Sequence, residues 1–141
     1  MATTRTANAH WEGSLMEGKG TVALDSSKAG TFDVTWPSRA EQPDGRTSPE
    51  ELIAAAHSTC YSMALSHALA GAGNAPESVD TRADVDFQAG TGITGITLRV
   101  RATVPGLSAE EFERFAQTAK EECPVSQALK AVPITLDAAL A

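Results

Sequence analysis

Residues 48–70 constrain this chain more than any other stretch. The run SPEELIAAAHSTCYSMALSHALA opens with Ser48 as a helix N-cap, Pro49 at the first helical position and Glu51 three residues after the cap, the arrangement of a capping box. It closes in AGAGNAP over 70–76, rich in residues that end helices. The spacing predicts one helix from Pro49 to about Leu69 or Ala70. Ala54, Ala55, Ala56, Ala64 and Ala68 keep its sides small, and few charges interrupt it. A helix that is apolar all round belongs inside a core, so a long, central, buried helix is expected, around which the remaining chain must build sheets.

Those sheets are legible from alternation. In VDTRADVDF (79–87), Val79, Thr81, Ala83, Val85 and Phe87 alternate with Asp80, Arg82, Asp84 and Asp86, and ITLRVRATV (96–104) alternates in the same way. Glycine-containing QAGTGITG (88–95) joins them, which predicts an antiparallel hairpin with one wet face. No helix follows that glycine run, so it is a poor phosphate cradle. GTVALD (20–25) and TFDVTW (31–36) read as strands, the second with Phe32, Val34 and Trp36 on one face. A third strand is expected near AHWE (9–12), and AEQPDGR (40–46) reads as an exposed loop. After Pro105 and Gly106, Ser108 and Glu111 form a second capping box. A helix with the apolar stripe Phe112, Phe115, Ala116 and Ala119 follows it. A helical turn after Pro124 and a strand PITLD (133–137) complete the chain. The order βββ-α-ββ-α-β describes an α+β fold with a largely antiparallel sheet. At 141 residues the chain fits a single domain spanning 1–141.

Charge narrows the function classes. Eighteen acidic against eleven basic residues give a net charge of −7, and the lysines and arginines are scattered, which argues against nucleic acid or an anionic membrane as partner. The opening MATTRTANAHW has no apolar run of the kind a signal peptide needs, and no stretch is apolar enough to span a bilayer. A cytoplasmic location is the expectation. There, two cysteines form a transient, catalytic disulfide more readily than a permanent one.

Cys60 and Cys123 are the two cysteines. Cys60 falls in the middle of the long helix among small and apolar residues. Cys123 precedes Pro124, where the backbone is biased away from helix and a side chain can swing. Such a pair suits thiol redox chemistry, one thiolate attacking and a second resolving the product as a disulfide. Inert buried thiols are the bland alternative. His57 and His67 share the helical face of Cys60, but zinc needs three or four ligands at recognisable spacing, which this loose set does not offer. His57 then reads as a core or interface histidine. Trp11, Trp36, Tyr61, Met63 and Leu65 read as core or pocket-wall residues.

The run TSPEELIAAAHSTCYSMAL (47–65), the later CPVSQALK (123–130) and the strand ITLD (134–137), together with AHWEG (9–13) and GKGTV (18–22), resemble the OsmC family of osmotically inducible proteins over almost the whole chain. The His-x-x-Cys at 57–60 and the CPVSQ ending resemble its OsmC branch. The resemblance implies a thiol-dependent peroxidase that reduces organic hydroperoxides, and hydrogen peroxide less well, in stress defence. It implies an intertwined homodimer with active sites at the subunit interface, two long central helices wrapped by sheets, and no bound cofactor or metal. Carried over residue by residue, the peroxidatic cysteine falls on Cys60, the resolving cysteine on Cys123, the glutamate after the helix-start proline on Glu50, and the activating arginine on Arg39, with Arg46 the second candidate. The reductant it implies is an external dithiol, a lipoyl-bearing or thioredoxin-like protein.

The chemistry of these residue types sets geometric demands. An apolar site raises a thiol's pKa, so Cys60 needs a cation near it, and an arginine is always charged and rich in donors. A carboxylate such as Glu50 would orient the guanidinium. Glu50 and Cys60 are ten residues apart on one helix, a separation of roughly 15 Å along the axis. Spacing therefore favours a site to which two subunits contribute. Two other functions compete with the peroxidase, a module that holds a hydrophobic ligand beside inert cysteines and a thiol redox sensor.

Overall fold

In the computed structural model, which describes residues 1–141, the first 52 residues build one unit and Ile53–Ala141 a second. The first unit is a three-stranded antiparallel sheet, β1 (Asn8–Glu12), β2 (Lys19–Ala23) and β3 (Thr31–Val34), in the order β1-β2-β3. Gly20 sits opposite Trp11 on one side and Val34 on the other. A Cβ at Gly20 would lie 2.5 Å from the His10 carbonyl oxygen and 2.8 Å from Trp11 Cε3. The indole can cross β2 only because that residue has no side chain.

The strand expected over 31–36 stops two residues early. Trp36 is instead the first residue of a short helix, α1 (Trp36–Ala40). Thr35 is its N-cap. The Thr35 Oγ1 accepts from the Ser38 N–H at 3.1 Å, and the Ser38 Oγ accepts from the Thr35 N–H at 3.0 Å. Pro37 has no N–H to give a sheet ladder but is well suited to a first helical turn. Alternation ran on through Trp36 because a tryptophan pattern cannot distinguish a strand end from a helix start; the Thr-x-x-Ser cap was the overlooked signal.

The long helix α2 runs from Pro49 to Gly71. At its start the Glu51 N–H donates to the Ser48 Oγ at 3.1 Å. The reciprocal half of the expected capping box is replaced, since the Glu51 carboxylate accepts from the Thr47 hydroxyl at 2.7 Å. At its end the Asn74 N–H returns to the Leu69 carbonyl, and Gly73 takes a φ of 86°, the left-handed conformation that glycine adopts without cost. No helix is long and apolar enough to cross a membrane. The expectation of a helix buried all round needs correction for the single chain. His57, Tyr61, Leu65 and Leu69, spaced four residues apart, are fully buried, while Ala55, Ala56, Thr59, Met63 and His67 are exposed.

In the second unit β4 (Ser78–Gln88) and β5 (Gly92–Thr103) form the expected antiparallel hairpin, and β6 (Ile134–Leu140) joins β5 in parallel. The connection is tighter than the glycine run suggested. Gln88 pairs with Gly92 across a turn in which Gly90 and Gly92 have φ of 83° and 110°, so the glycines extend β5 rather than lengthen a loop. Parallel pairing of β5 and β6 requires a crossover, which α3 (Ala109–Glu122) and α4 (Pro124–Ala128) supply. Ser108 and Glu111 close the predicted capping box on α3. Ile96, Leu98, Val100 and Ala102 of β5, Phe112, Ala116 and Ala119 of α3, and Tyr61, Leu65 and Leu69 of α2 make one core. Across the wet face, Asp84 pairs with Arg82 and Arg99, and Arg101 with Asp137.

Candidate active site

Two clusters carry the residues singled out from the sequence, one in each unit. In the first, Arg39 stands in the last turn of α1 and Glu50 in the first turn of α2. The Arg39 Nε donates to both Glu50 carboxylate oxygens at 3.1 Å, and its Nη2 donates to Oε1 at 2.8 Å. Glu50 is 6% exposed and the Arg39 side chain 31%. This planar two-point contact fixes the guanidinium in one orientation. The Arg39 Cζ also lies 6.0 Å from the Trp36 ring centroid, within reach of a cation–π attraction. Arg46, the other candidate, is exposed, and its side chain bonds Asp44, its Nη1 lying 3.4 Å from Oδ2 and 3.3 Å from the carbonyl oxygen.

Beside this pair is a cavity of about 510 Å³, lined by Ala9, Trp11, Leu15, Val22, Val34, Thr35, Trp36, Arg39, Pro49 and Leu52. Its walls are almost entirely apolar, with the guanidinium as the charged group. Trp11 and Trp36 are thus pocket-wall residues. A site of this kind suits a molecule with an apolar body and one polar end.

The second cluster holds the thiols. Cys60 is partly buried on α2 and Cys123 is fully buried at the junction of α3 and α4; both are free. Cys123 ends one helix and begins the next. Its N–H donates to the Ala119 carbonyl and its own carbonyl accepts from the Gln127 N–H. Its ψ of 122° is the extended backbone that the following proline favours. The structure brings Cys60 and Cys123 close enough for each thiol to act on the other. Burial pushes the Cys60 thiol up; the Val125 N–H, hydrogen-bonded to it, opposes the rise, and the adjoining Cys123 adds to it.

Sequence reading did not foresee the partner of His57. That imidazole is fully buried, and its Nε2 lies 2.7 Å from the buried Ser126 Oγ on α4. Its Nδ1 is buried without a hydrogen-bond partner. Burial lowers the His57 pKa, keeping the ring neutral at pH 7. Ser126 follows Cys123 by three residues as His57 precedes Cys60 by three, a symmetry the sequence displays but that acquires meaning only when α4 is folded against α2. Tyr61 also ties α2 to its neighbours, its hydroxyl donating to the Ala116 carbonyl at 2.8 Å. No group of three or more His, Cys, Asp or Glu side chains converges as metal ligands would.

Comparison with known proteins agrees with these motifs. The family described as OsmC, OsmC-like protein, matches residues 42–137. Peroxiredoxin OsmC of Escherichia coli is 47% identical over 140 residues, covering 97% of this chain and 96% of the relative. The organic hydroperoxide resistance protein OhrA of Bacillus subtilis is 29% identical over 133 residues, covering 89% and 92%. Among solved structures, an organic hydroperoxide resistance protein OsmC of Legionella pneumophila superposes with a TM-score of 0.78 at 26% identity, over 99% of this chain and 98% of that one. OhrB of Bacillus subtilis shares the fold with a TM-score of 0.68 at 24% identity, over 96% and 98%. On sequence and fold together, this chain belongs to the OsmC-like protein family, with its nearer resemblance to the OsmC branch.

Proposed function

We propose that this protein is a cysteine-based peroxidase that reduces organic hydroperoxides, and hydrogen peroxide less well, in oxidative and osmotic stress defence. The observation that carries the reading is the adjoining pair of free thiols, Cys60 and Cys123, in a chain 47% identical to a peroxiredoxin over nearly its whole length. The Cys60 thiolate attacks the distal oxygen of the peroxide; an S–O bond forms, the O–O bond breaks, the alkoxide leaves and takes a proton from solvent to become the alcohol, and Cys60 becomes a sulfenic acid. The Cys123 thiol then condenses with it; an S–S bond forms, the S–O bond breaks, and the hydroxyl leaves as water with the thiol proton. An external dithiol, lipoyl-bearing or thioredoxin-like, returns the disulfide to two thiols. The cytoplasm, where such a disulfide is transient, is the compartment that suits this cycle.

Burial holds the Cys60 thiol up, so attack needs a cation to favour the thiolate. In our reading that cation is Arg39, oriented by Glu50, and it comes from the second subunit of a homodimer. Residues 1–141 act as one OsmC-like domain in that dimer. Two observations support the assembly. Helical spacing sets Glu50 roughly 15 Å along the axis from Cys60. The face of α2 opposite the core, where Ala55, Ala56 and Met63 stand with Thr59 and His67, carries small and apolar side chains that are exposed in one chain. The apolar cavity beside Arg39 would hold the organic body of the peroxide, with the O–O group at the guanidinium.

The same cavity favours a second reading, a module that holds a hydrophobic ligand beside inert thiols. A titration of the reduced protein with cumene hydroperoxide and hydrogen peroxide separates the two. The peroxidase loses two thiols per chain, faster with the organic peroxide, and recovers them with dihydrolipoamide; the binding module loses none. Cys60→Ser abolishes turnover, whereas Cys123→Ser completes one and retains a sulfenic acid. Full steady-state activity in Cys60→Ser would refute the assignment.

A further inference from the structure

We propose that the His57–Ser126 hydrogen bond is a latch that seats Cys123 against Cys60 for disulfide formation, making His57 and Ser126 positioning residues of the resolving step. The inference rests on the peroxidase reading and deepens it.

Cys123 stands on a short, interrupted piece of chain. It closes α3, opens α4 and is followed by a proline. Nothing in α3 continues past it, so the direction of α4 must be set by contacts of α4 itself. Ser126 makes one. It is 4% exposed, and its hydroxyl meets a fully buried imidazole on α2 at 2.7 Å. The two ends of this bond lie three residues from the two thiols, His57 before Cys60 and Ser126 after Cys123. Residues three apart on a helix are neighbours on its surface, so the bond clamps the backbone beside each sulfur. On the other side of Cys123, the Tyr61 hydroxyl pins α3 through the Ala116 carbonyl. Consecutive turns on one face of α2 therefore hold the chain before and after the resolving cysteine.

A histidine here is costly as simple filling. A neutral imidazole has one donor and one acceptor, and with Nε2 engaged by Ser126 the buried Nδ1 has no partner. A leucine would fill the space with no such penalty. What the imidazole supplies and a hydrocarbon does not is a directional bond to α4. Disulfide formation places strict limits on the separation and orientation of the two cysteines, and a sulfenic acid left unresolved proceeds to sulfinic acid under excess peroxide. Holding Cys123 in place accelerates the step that competes with that loss.

The test separates the two chemical steps. Reduced wild-type protein and Ser126→Ala are mixed with cumene hydroperoxide, and Cys60 sulfenic acid, disulfide and sulfinic acid are followed by quenched-flow mass spectrometry. In Ser126→Ala the sulfenic acid forms at the wild-type rate, the disulfide forms about tenfold more slowly, the size of one hydrogen bond, and sulfinic acid accumulates. Ser126→Thr, which keeps the hydroxyl, restores the rate. His57→Leu slows the disulfide step to the same degree, and His57→Leu combined with Ser126→Ala is no slower than either alone, because both remove one bond. Disulfide formation at the wild-type rate in Ser126→Ala, or additive losses in the double variant, would overturn the latch while leaving the peroxidase intact. Unreactive thiols in the wild type would overturn both.

Discussion

Neighbouring residues tune Cys60. Burial raises its pKa most, the Val125 N–H pulls it back, and Cys123 raises it further through its hydrogen bond and charge. Cys123→Ala removes the last two influences, so the pH midpoint for alkylation of Cys60 should move down relative to wild type; an unchanged or higher midpoint would show that Cys123 does not act on it. His57 gives a pH dependence of stability. Its folded pKa lies below the usual value because the ring is buried, while an unfolded histidine titrates near 6.5. As pH falls through about 6.5 the unfolded chain binds this proton first, so folding stability, fully present above that value, is lost towards the lower folded pKa. Denaturant midpoints should fall as the pH drops below about 6.5 in the wild type, and His57→Gln should flatten that decline. The two cysteines stand out by residue type and local sequence, whereas Glu50 and both arginine candidates came from the resemblance to the family's motifs. Ser126 could not, since its meaning is a contact across 69 residues of chain.

Caps and turns decided the elements more reliably than alternation did. The boundaries of α2 and α3 followed from Ser48, Pro49, Ser108 and Glu111, local signals that act within one turn. Alternation alone carried β3 past its end, because a residue that satisfies a period of two can equally begin a helix when Thr35 and Ser38 cap it. Glycine worked in the opposite direction. The run over 88–95 reads as a loop, yet Gly92 and Gly95 lie in β5, paired with Gln88 and Asp86 of β4, and that pairing overrides intrinsic propensity. The role of Gly20 is equally tertiary. Its absent side chain admits the Trp11 ring and lies close to the His10 carbonyl. Gly20→Ala should therefore destabilise the first unit by about 1–3 kcal/mol, measured as a lower urea midpoint. No change would mean that β1 and β2 can separate freely.

At the scale of the whole molecule, the uncovered face of α2 has the largest functional consequence. A helix apolar on all sides was expected to be buried on all sides, and in one chain it buries the stripe from His57 to Leu69 while Met63 remains 68% exposed. In the proposed homodimer a second copy covers that face and brings Arg39 and Glu50 to Cys60. Met63→Glu should shift the protein towards monomer in analytical ultracentrifugation and lower peroxidase turnover at least tenfold, an effect of about 1.4 kcal/mol or more on the barrier, with both cysteines still present. A variant that remains dimeric and fully active would refute this use of the α2 face. The sequence by itself determined the α+β class, the extent of the long helix, the hairpin and the two reactive cysteines, because capping, alternation and motif spacing are encoded by residues close together in the chain. The tertiary structure alone decided that Arg39 rather than Arg46 pairs with Glu50, that β6 runs parallel to β5, and that His57 reaches Ser126. Those choices depend on which distant segments pack together, and a hydrogen bond or ion pair exists only once packing has brought its two ends within about 3 Å.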